Sequence, residues 1–246
     1  MYYHGGRYRI DRRVFFPCLR FCYPSCVISI ADRALSFIDM ERMEWTAREV
    51  VDVEGPRAML RAYLEQRDVR EFCSSVIITA RIPAACDVGC GFGRLSPVLT
   101  EFAERVVGFE REQGLVTIAR SLQPSIEFQQ IDALSQLPAE DGAFAFALVF
   151  TVLQHVPEPE VQAVIRELRR IVAPNGHVLL CEETDPSLEA GDRANAHLGY
   201  TCGRQVTTYE SWLAPWRLVA TKPRTIEPDY PRADVGTYML FAAEHG

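Results

Sequence analysis

Three alternating glycines carry the most specific chemical signal in this sequence. Gly89, Gly91 and Gly93 follow the acid Asp87, and an apolar run precedes them. Glycine lacks a Cβ, so it adopts positive φ freely and lets a ligand lie against bare backbone. An amphipathic segment follows, and the first N–H groups of a helix have no partner inside that helix. We therefore predict that Ala84 to Leu95 forms a strand, a tight turn and a helix, with the turn as the floor of a nucleoside-cofactor site.

The spacing of these glycines distinguishes between two kinds of cofactor. The turn of a dinucleotide-binding Rossmann fold reads G-x-G-x-x-G, and its third glycine allows the helix to pack closely on the strand. Arg94 occupies that third position here. The acid Asp87 would also repel a pyrophosphate, whereas it can hold a cationic group or order the turn by accepting backbone N–H bonds. Both observations disfavour NAD and favour a ligand that carries positive charge.

Two further acids stand where the next two strands are expected to end. Glu110 can accept two hydrogen bonds from a ribose diol, as an acid at this position does in related dinucleotide folds. Asp132 can accept from the exocyclic amine of adenine, and the N–H of Ala133 can reach a ring nitrogen. Each acid alone is weak evidence, because strand-end acids are common as caps. Together with the glycine turn they form a strong pattern.

The elements that must position these residues alternate between strand and helix. Helical stripes are predicted over Leu95 to Phe102, Leu115 to Leu122 and a long segment opened by Pro157. The alternation predicts an α/β fold, with a parallel sheet covered by helices on both faces and a ligand beyond the carboxyl ends of the strands. The predicted strands cover residues 84–88, 105–109, 126–130, 144–150, 177–181, 217–221 and 235–242.

The same segments resemble the motifs of the class I S-adenosylmethionine-dependent methyltransferases, nearest their small-molecule group. Asp87 to Gly93 is similar to the first motif, Val107 to Glu110 to the ribose motif, and Gln130 to Ala133 to the adenine motif. Val149 to Pro157 resembles the segment that ends the fourth strand. The resemblance implies a Rossmann-like, doubly wound sheet of seven strands in the order 3-2-1-4-5-7-6, mostly parallel, with strand seven antiparallel.

The resemblance also implies S-adenosylmethionine as the cofactor and a role for each motif. The glycine turn would hold the methionine end, Glu110 the ribose, Asp132 and Ala133 the adenine, and Phe150 part of the wall beside the sulfonium. The protein would mainly position the reactants and exclude water, since the methyl donor is already activated. The predicted cofactor-binding residues are Asp87, Gly89, Cys90, Gly91, Gly93, Glu110, Asp132, Ala133 and Phe150.

No catalytic residue is assigned from the sequence. His155 is the nearest candidate for a general base, if the acceptor needs one. It can also be a structural residue at the start of the helix opened by Pro157, and we favour that interpretation. The irregular stretch from Thr184 to Thr201 follows the fifth strand and is an open alternative between an acceptor-binding loop and a solvated one.

Missing motifs narrow the acceptor. The fourth strand is not followed by Asn/Asp-Pro-Pro-Tyr, the signature of amino-nitrogen methylation on nucleobases and glutamine. The only Pro-Cys pair, Pro17-Cys18, lies far from that strand, which argues against the covalent mechanism of cytosine-C5 methylation. The expectation is therefore a small molecule with an oxygen, nitrogen or carbon nucleophile. Two alternatives remain: methylation of a protein or RNA docked by the arginine-rich start, and a non-catalytic protein that binds the cofactor.

Composition sets the remaining expectations. The net charge of −7 over 246 residues argues mildly against a general nucleic-acid binder. Residues 18–30 are too short an apolar segment to span a bilayer, and no secretory signal is evident, so a cytoplasmic protein without membrane attachment is expected. No metal site is predicted, because Cys18, Cys22 and Cys26 lack a fourth ligand nearby. The predicted organisation is an N-terminal extension (1–43), a helical cap (44–83) and a cofactor-binding domain (84–246), with the oligomeric state left open.

Overall fold

A seven-stranded sheet organises the protein in the computed structural model, which describes residues 55–78, 80–187, 201–226 and 236–244. The strands lie in the order β3-β2-β1-β4-β5-β7-β6. Their bounds are β1 Ile82–Val88, β2 Ala103–Glu110, β3 Glu127–Gln130, β4 Phe144–Phe150, β5 Val172–Glu182, β6 Arg217–Pro223 and β7 Thr237–Ala242.

The pairing directions confirm the predicted α/β fold. The neighbours from β3 to β5 pair in parallel. Strand β7 pairs antiparallel with both β5 and β6. The strand order changes direction at β1, where the glycine turn leaves the sheet, and ligands of open α/β sheets bind at such a switch point.

Helices cover both faces of this sheet, because the central strands are apolar on both sides. One buried cluster includes Val149, Leu180 and residues of α4 and α5, and the other includes Phe150, Cys181 and residues of α1, α2 and α3. The helices are α1 Gly55–Val76, α2 Ser96–Leu99, α3 Gln113–Leu122, α4 Glu158–Ile171 and α5 Val206–Leu213, and a single 3₁₀ turn spans Leu153–His155.

Helix α2 is shorter than the predicted helix that runs from Leu95 to Phe102. The apolar stripe is buried as expected at Leu95, Val98 and Leu99, and Phe102 is partly buried. After Leu99 the backbone closes i→i−3 bonds, such as Phe102 N–H to the Leu99 carbonyl at 3.0 Å. These tighter turns keep the same side chains on one face while the chain turns into β2, so the periodicity alone could not show where the α-helix ends.

The predicted turn at residues 174–176 lies within the bounds of β5. Between two paired positions of β4, Phe144 and Phe146, the partner in β5 moves from Val172 to His177. The extra residues bulge from the ladder, and Asn175 has a φ of 65° there. Asparagine is among the few residues that adopt this conformation readily, which explains why the turn was visible in the sequence.

The helical cap is represented by α1, which packs on one face of the sheet. Phe72 and Cys73 of α1 are buried, and the Phe72 ring lies 5.3 Å from the Tyr238 ring of β7. Residues 44–54 of the predicted cap and the N-terminal extension lie outside the described residues. The three-part organisation of the chain therefore remains a prediction.

Candidate functional site

The glycine turn has the conformation that its sequence predicts. The φ angles are 70° at Gly89, 57° at Gly91 and 77° at Gly93, all in the left-handed region that favours glycine. The turn is anchored to the next strand, because the N–H groups of Gly89 and Cys90 both donate to the Phe109 carbonyl, at 2.8 and 3.1 Å. Its backbone therefore lies directly at the carboxyl edge of β1 and β2.

Two of these glycines are also required by space. A Cβ at Gly89 would stand 2.5 Å from Cγ2 of Val152, and one at Gly93 would stand 2.7 Å from Cζ of Phe128. Both distances are far below normal contact. The turn therefore packs against the loop after β4 on one side and against β3 on the other.

Asp87 is buried at the end of β1, immediately before the turn. It is 2% exposed, and its Oδ2 accepts a hydrogen bond from the Ser96 hydroxyl at 2.6 Å. Burial raises the pKa of Asp87 to about 6 and outweighs the Ser96 hydrogen bond and the nearby charge of Arg94, which both lower it, while the negative charge of Glu110 adds to the rise. A cationic ligand beside the turn would favour the ionised form of this carboxyl.

Glu110 ties the end of β2 to the glycine turn. Its Oε2 accepts the N–H of Gly91 at 2.9 Å, while its Oε1 accepts the N–H groups of Arg111 and Glu112 at 2.7 and 2.9 Å. The carboxylate is thus held in one orientation at the edge of the sheet. Because Oε1 already accepts two N–H groups, the acceptor capacity that remains for a ribose hydroxyl lies on Oε2.

The predicted adenine residues lie one strand further along the same edge. The Ile131 N–H donates to the Glu110 carbonyl at 2.9 Å, which places the following Asp132 and Ala133 beside the end of β2. Both of these residues are exposed. The structure thus brings Asp87, the glycine turn, Glu110 and Asp132 to the carboxyl ends of three neighbouring strands.

Cys90 and Phe150 direct their side chains into the protein interior. Cys90 is 7% exposed, and burial raises the pKa of its thiol well above the usual range. The Phe150 ring is 6% exposed and lies below two guanidinium groups, those of Arg94 and Arg224, each 5.0 Å from the ring centre. Both side chains are therefore packed in the interior, so their predicted roles in cofactor binding would depend on their backbone atoms.

Sequence reasoning missed Glu182, which organises the loop after β4. This fully buried carboxylate ends β5 and accepts three backbone N–H groups, from Val152, Leu153 and Gln154, at 3.0–3.1 Å. Burial raises its pKa to about 7, although the three N–H bonds favour the ionised form. The signal was present in the sequence as an acid that ends an otherwise apolar strand.

The same loop begins with a backbone conformation that is rare for a β-branched residue. Thr151 has a φ of 54°, and its N–H donates to the Cys181 carbonyl at 2.7 Å. Left-handed conformations cost non-glycine residues roughly 1–2 kcal/mol. The contacts with β5 and Glu182 therefore hold this segment in a conformation that it would not adopt alone.

Arg204 is a second positioning residue that sequence reasoning did not assign. It is 5% exposed and donates to the carbonyls of Leu153 and Val156 at 2.7 and 2.9 Å. It also pairs with Glu158 at 3.0 Å. The loop after β4 is thus held by two side chains, the carboxylate of Glu182 at the end of β5 and the guanidinium of Arg204 before α5.

Both ring nitrogens of His155 have partners inside the protein. Gln154 accepts the Glu183 N–H with its Oε1, so its Nε2 faces His155 Nε2 at 3.2 Å and donates to it. The ring proton then lies on Nδ1, which is 3.2 Å from the Thr201 hydroxyl. This network fits the structural interpretation of His155 better than a role as a base.

Other features lie apart from this edge or outside the described residues. The arginine-rich start, its three cysteines and most of the loop from Thr184 to Thr201 are outside the described ranges. A shallow depression lined by His177 and Arg217 opens where β5 begins, away from the glycine turn. Within the described ranges, no helix is long and apolar enough to cross a membrane, and no cluster of three or more His, Cys, Asp or Glu side chains could hold a metal ion.

Comparison with known proteins points to the same segment. Residues 86–180 match the family model described as a methyltransferase domain. A ubiquinone biosynthesis O-methyltransferase of Pseudomonas paraeruginosa is 33% identical over 98 residues, which are 38% of this chain and 41% of that protein. The chloroplastic tocopherol O-methyltransferase of Arabidopsis thaliana is 31% identical over 121 residues, or 46% of this chain and 34% of that protein. The chain thus matches less than half the length of these curated relatives.

Solved structures share the fold at low sequence identity. An S-adenosylmethionine-dependent methyltransferase from Mesorhizobium loti superposes with a TM-score of 0.58 at 18% identity, covering 70% of this chain and 96% of that one. The (4+2)-cyclase SpnF gives 0.58 at 19% identity, covering 74% and 82%. The second neighbour is named for a different reaction, so the fold alone does not define the chemistry. The family model covers residues 86–180, and the observed strand order is the one that the resemblance implied, so this segment of the chain is similar to a methyltransferase domain.

Proposed function

We propose that this protein transfers a methyl group from S-adenosylmethionine to a hydroxyl oxygen of a small molecule. One observation carries the proposal: the Glu110 carboxylate accepts the Gly91 N–H, so the acid predicted for the ribose is bonded to the turn predicted for the methionine end. Asp132 follows on the adjoining strand. Both of the relatives described above are named O-methyltransferases, and these names support an oxygen acceptor.

The residues present suit this donor in shape and charge. The turn has positive φ at three glycines and leaves no room for a Cβ at Gly89 or Gly93. The charged side chains among the predicted cofactor-binding residues, Asp87, Glu110 and Asp132, are all acids, which suits a sulfonium and an ammonium group better than a pyrophosphate. In this proposal Asp87, Cys90 and the three glycines hold the methionine end, and Phe150 contributes backbone to the wall beside the sulfonium.

The donor supplies an electrophilic methyl group, and this chain supplies position and shielding. Glu110 would hold the ribose end, and Asp132 with Ala133 would hold the adenine base, so these residues would position the donor for methyl transfer. The loop held by Glu182 and Arg204 closes the side of the site next to β4 against water. The acceptor oxygen would gain the methyl group as the carbon–sulfur bond of the donor breaks, S-adenosylhomocysteine would be the leaving group, and the hydroxyl proton would pass to solvent. His155 is not assigned as the base, because both of its nitrogens are engaged.

The remaining parts of the proposal concern the acceptor and the cell. A nitrogen or carbon acceptor would use the same donor site, and the loop up to Thr201 is the segment we expect to choose between them. We expect no nucleic-acid partner, given the net charge of −7. A cytoplasmic location is proposed as well, since the five described cysteines are free thiols of the kind that a reducing compartment maintains.

Calorimetry with two ligands tests the donor site residue by residue. S-adenosylhomocysteine carries the amino acid end, whereas methylthioadenosine has the same ribose and base without it. We expect Glu110→Ala to weaken both ligands by about tenfold or more, since hydrogen bonds to a charged group contribute roughly 1.5–3 kcal/mol. Asp87→Asn should weaken S-adenosylhomocysteine alone. Glu127→Ala is the matched control, because this exposed acid of β3 pairs with Arg105 instead.

Different results of these experiments test the donor site, the assignment of the methionine end and the acceptor class separately. Failure of the unmodified protein to bind S-adenosylhomocysteine, or tighter binding of NAD, would overturn the proposed function. Equal losses for both ligands in Asp87→Asn would contradict the assignment of the methionine end. Transfer of a deuterated methyl group to phenols, amines and carbon acids, followed by mass spectrometry, then identifies the acceptor class, and we expect the phenols to react.

A further inference from the structure

Helix α1 carries two carboxylates that are buried against the sheet. Glu65 is 1% exposed and Asp68 is 0% exposed. A buried charge is costly unless it is paired and hydrogen-bonded, so each of these acids must have partners in the body of the domain. The two acids lie less than one helical turn apart, but they have different partners.

Glu65 contacts the segment that leaves the glycine turn. It forms ion pairs with Arg94, the residue directly after Gly93, and with Arg224 beyond β6. Burial raises the pKa of Glu65, but the two guanidinium groups outweigh it and hold that pKa below its usual range. Both guanidinium groups also lie over the Phe150 ring at the end of β4.

A second contact joins α1 to the same backbone. The Gln66 side-chain amide donates to the Arg94 carbonyl at 3.0 Å. Arg94 is therefore held at its guanidinium by Glu65 and at its backbone by Gln66. Arg94 directly follows the last glycine, so these two contacts connect the end of the glycine turn to helix α1.

The described partners of Asp68 lie on its own helix and at the β6 edge of the sheet. It pairs with Arg67 of its own helix and with Lys222 of β6 at 3.0 Å, and the Thr225 N–H lies 3.4 Å from its Oδ2. None of these described partners belongs to the glycine turn. Asp68 is thus a natural control for Glu65, with the same charge, the same helix and the same burial.

We propose that Glu65 is a positioning residue for the donor site, which acts through Arg94 to fix the glycine turn around the methionine end of S-adenosylmethionine. This inference rests on the proposed function, and it assigns to the helical cap a part in donor binding that Asp68 does not share. Loss of the Glu65 charge removes the ion pair with Arg94. The Arg94 side chain is then less firmly held, and so is the end of the glycine turn that it follows. Among the described residues, the ion pairs of Glu65 are with Arg94 and Arg224 and do not include Glu110 at the end of β2 or the residues that follow β3.

The experiment compares Glu65→Gln with Asp68→Asn in the full chain. Free energies of unfolding come from urea titration, and affinities for S-adenosylhomocysteine and methylthioadenosine come from calorimetry. Both variants should be less stable than the unmodified protein. Glu65→Gln should bind S-adenosylhomocysteine about tenfold or more weakly and methylthioadenosine within about twofold of normal, whereas Asp68→Asn should bind both normally. Glu65→Asp, which keeps the charge, should recover part of the lost affinity.

Each other result contradicts the inference. Equal loss of affinity for S-adenosylhomocysteine in both variants would mean that α1 acts only through general stability. No loss of this affinity in Glu65→Gln would mean that the glycine turn keeps its conformation without Glu65. If Glu65→Gln does not fold, Gln66→Leu removes only the bond to the Arg94 carbonyl, and unchanged affinity in that variant would be a contradiction too. Absence of S-adenosylhomocysteine binding by the unmodified protein would instead reject the proposed function, and this inference with it.

Discussion

At the scale of single residues, the buried acids differ in what neutralises them. Asp87 faces a hydroxyl and Glu182 faces backbone N–H groups, so burial dominates and the pKa of each is raised, to about 6 and about 7. Glu65 and Glu167 each pair with arginine, and their pKa values are lowered. A guanidinium group in direct contact offsets desolvation, whereas neutral donors and the charges of Arg94 and Arg204, which are near these acids without an ion pair in the described residues, do so only in part.

This difference predicts a pH dependence of stability for Glu182. Its pKa in the folded protein lies above the usual glutamate value of 4.5, so the folded state takes up the proton first as the pH falls. The stabilisation linked to this proton is complete below about pH 4.5 and is lost as the pH rises through about 7. In urea unfolding, the stability difference between the unmodified protein and Glu182→Gln should therefore shrink by on the order of 3 kcal/mol from pH 4.5 to pH 8.

Glu167→Gln is the control for that measurement. The pairing with Arg170 lowers the pKa of Glu167, so its contribution to stability is present above the usual pKa and is lost only at lower pH. The stability difference for Glu167→Gln should stay level between pH 5 and pH 8. A level difference for Glu182→Gln as well would show that this carboxyl does not titrate in that range.

At the scale of elements, one aromatic ring sets the distance between the glycine turn and the neighbouring strands. Phe128 of β3 lies where a Cβ at Gly93 or at Gly108 of β2 would stand, 2.7 and 2.4 Å away from ring atoms. Gly93 needs its positive φ, whereas Gly108 lies in an extended strand and is required only by this contact. The Phe128 ring of β3 thus packs against both β2 and the glycine turn.

Gly108→Ala should therefore destabilise the protein through overpacking alone. We expect a loss of about 1–3 kcal/mol in the free energy of unfolding, because the added methyl group meets Phe128 and the Cys90 sulfur in a closed core. Urea titration of Gly108→Ala, Phe128→Leu and the double variant forms a complete cycle. The smaller leucine should recover part of the loss, so a strictly additive cycle would argue against the contact.

At the scale of the whole molecule, donor-site residues and docking residues occupy different parts of the chain. Every residue predicted to bind the cofactor lies in the range from Asp87 to Phe150. The seven-stranded sheet that positions these residues lies within the described ranges. The arginine-rich start is the only feature that favours a protein or RNA acceptor. A test of that alternative must therefore separate the start of the chain from the donor site.

Removal of residues 1–42 should leave the donor site intact. We expect the affinity for S-adenosylhomocysteine, measured by calorimetry, to stay within about twofold of the full chain, because no predicted donor contact is lost. Methyl transfer to a small acceptor should also be unchanged. Loss of transfer with retained donor binding would instead support the arm as a docking element for the acceptor.

Local patterns made much of the fold predictable. The strands are short apolar runs, the glycines need positive φ, and the acids follow strand ends, so each signal lies within a few neighbouring residues. Such signals give the order of elements, and the handedness of crossovers then leaves few possible sheets. The end of α2 was not predictable, because α and 3₁₀ turns bury the same stripe of side chains.

The sequence alone therefore determined the α/β fold, the glycine turn beside Asp87, and the expectation that Glu110 and Asp132 lie at one edge of the sheet. It did not reveal that Glu182 holds the loop after β4, or that Glu65 reaches Arg94 from a helix 29 residues away. Those contacts join segments that are distant in the chain, and a lone acid in an apolar pattern has many possible partners. Burial restricts each acid to the partners that packing places next to it, so the turn that first marked the site is held in place by residues far from it in sequence.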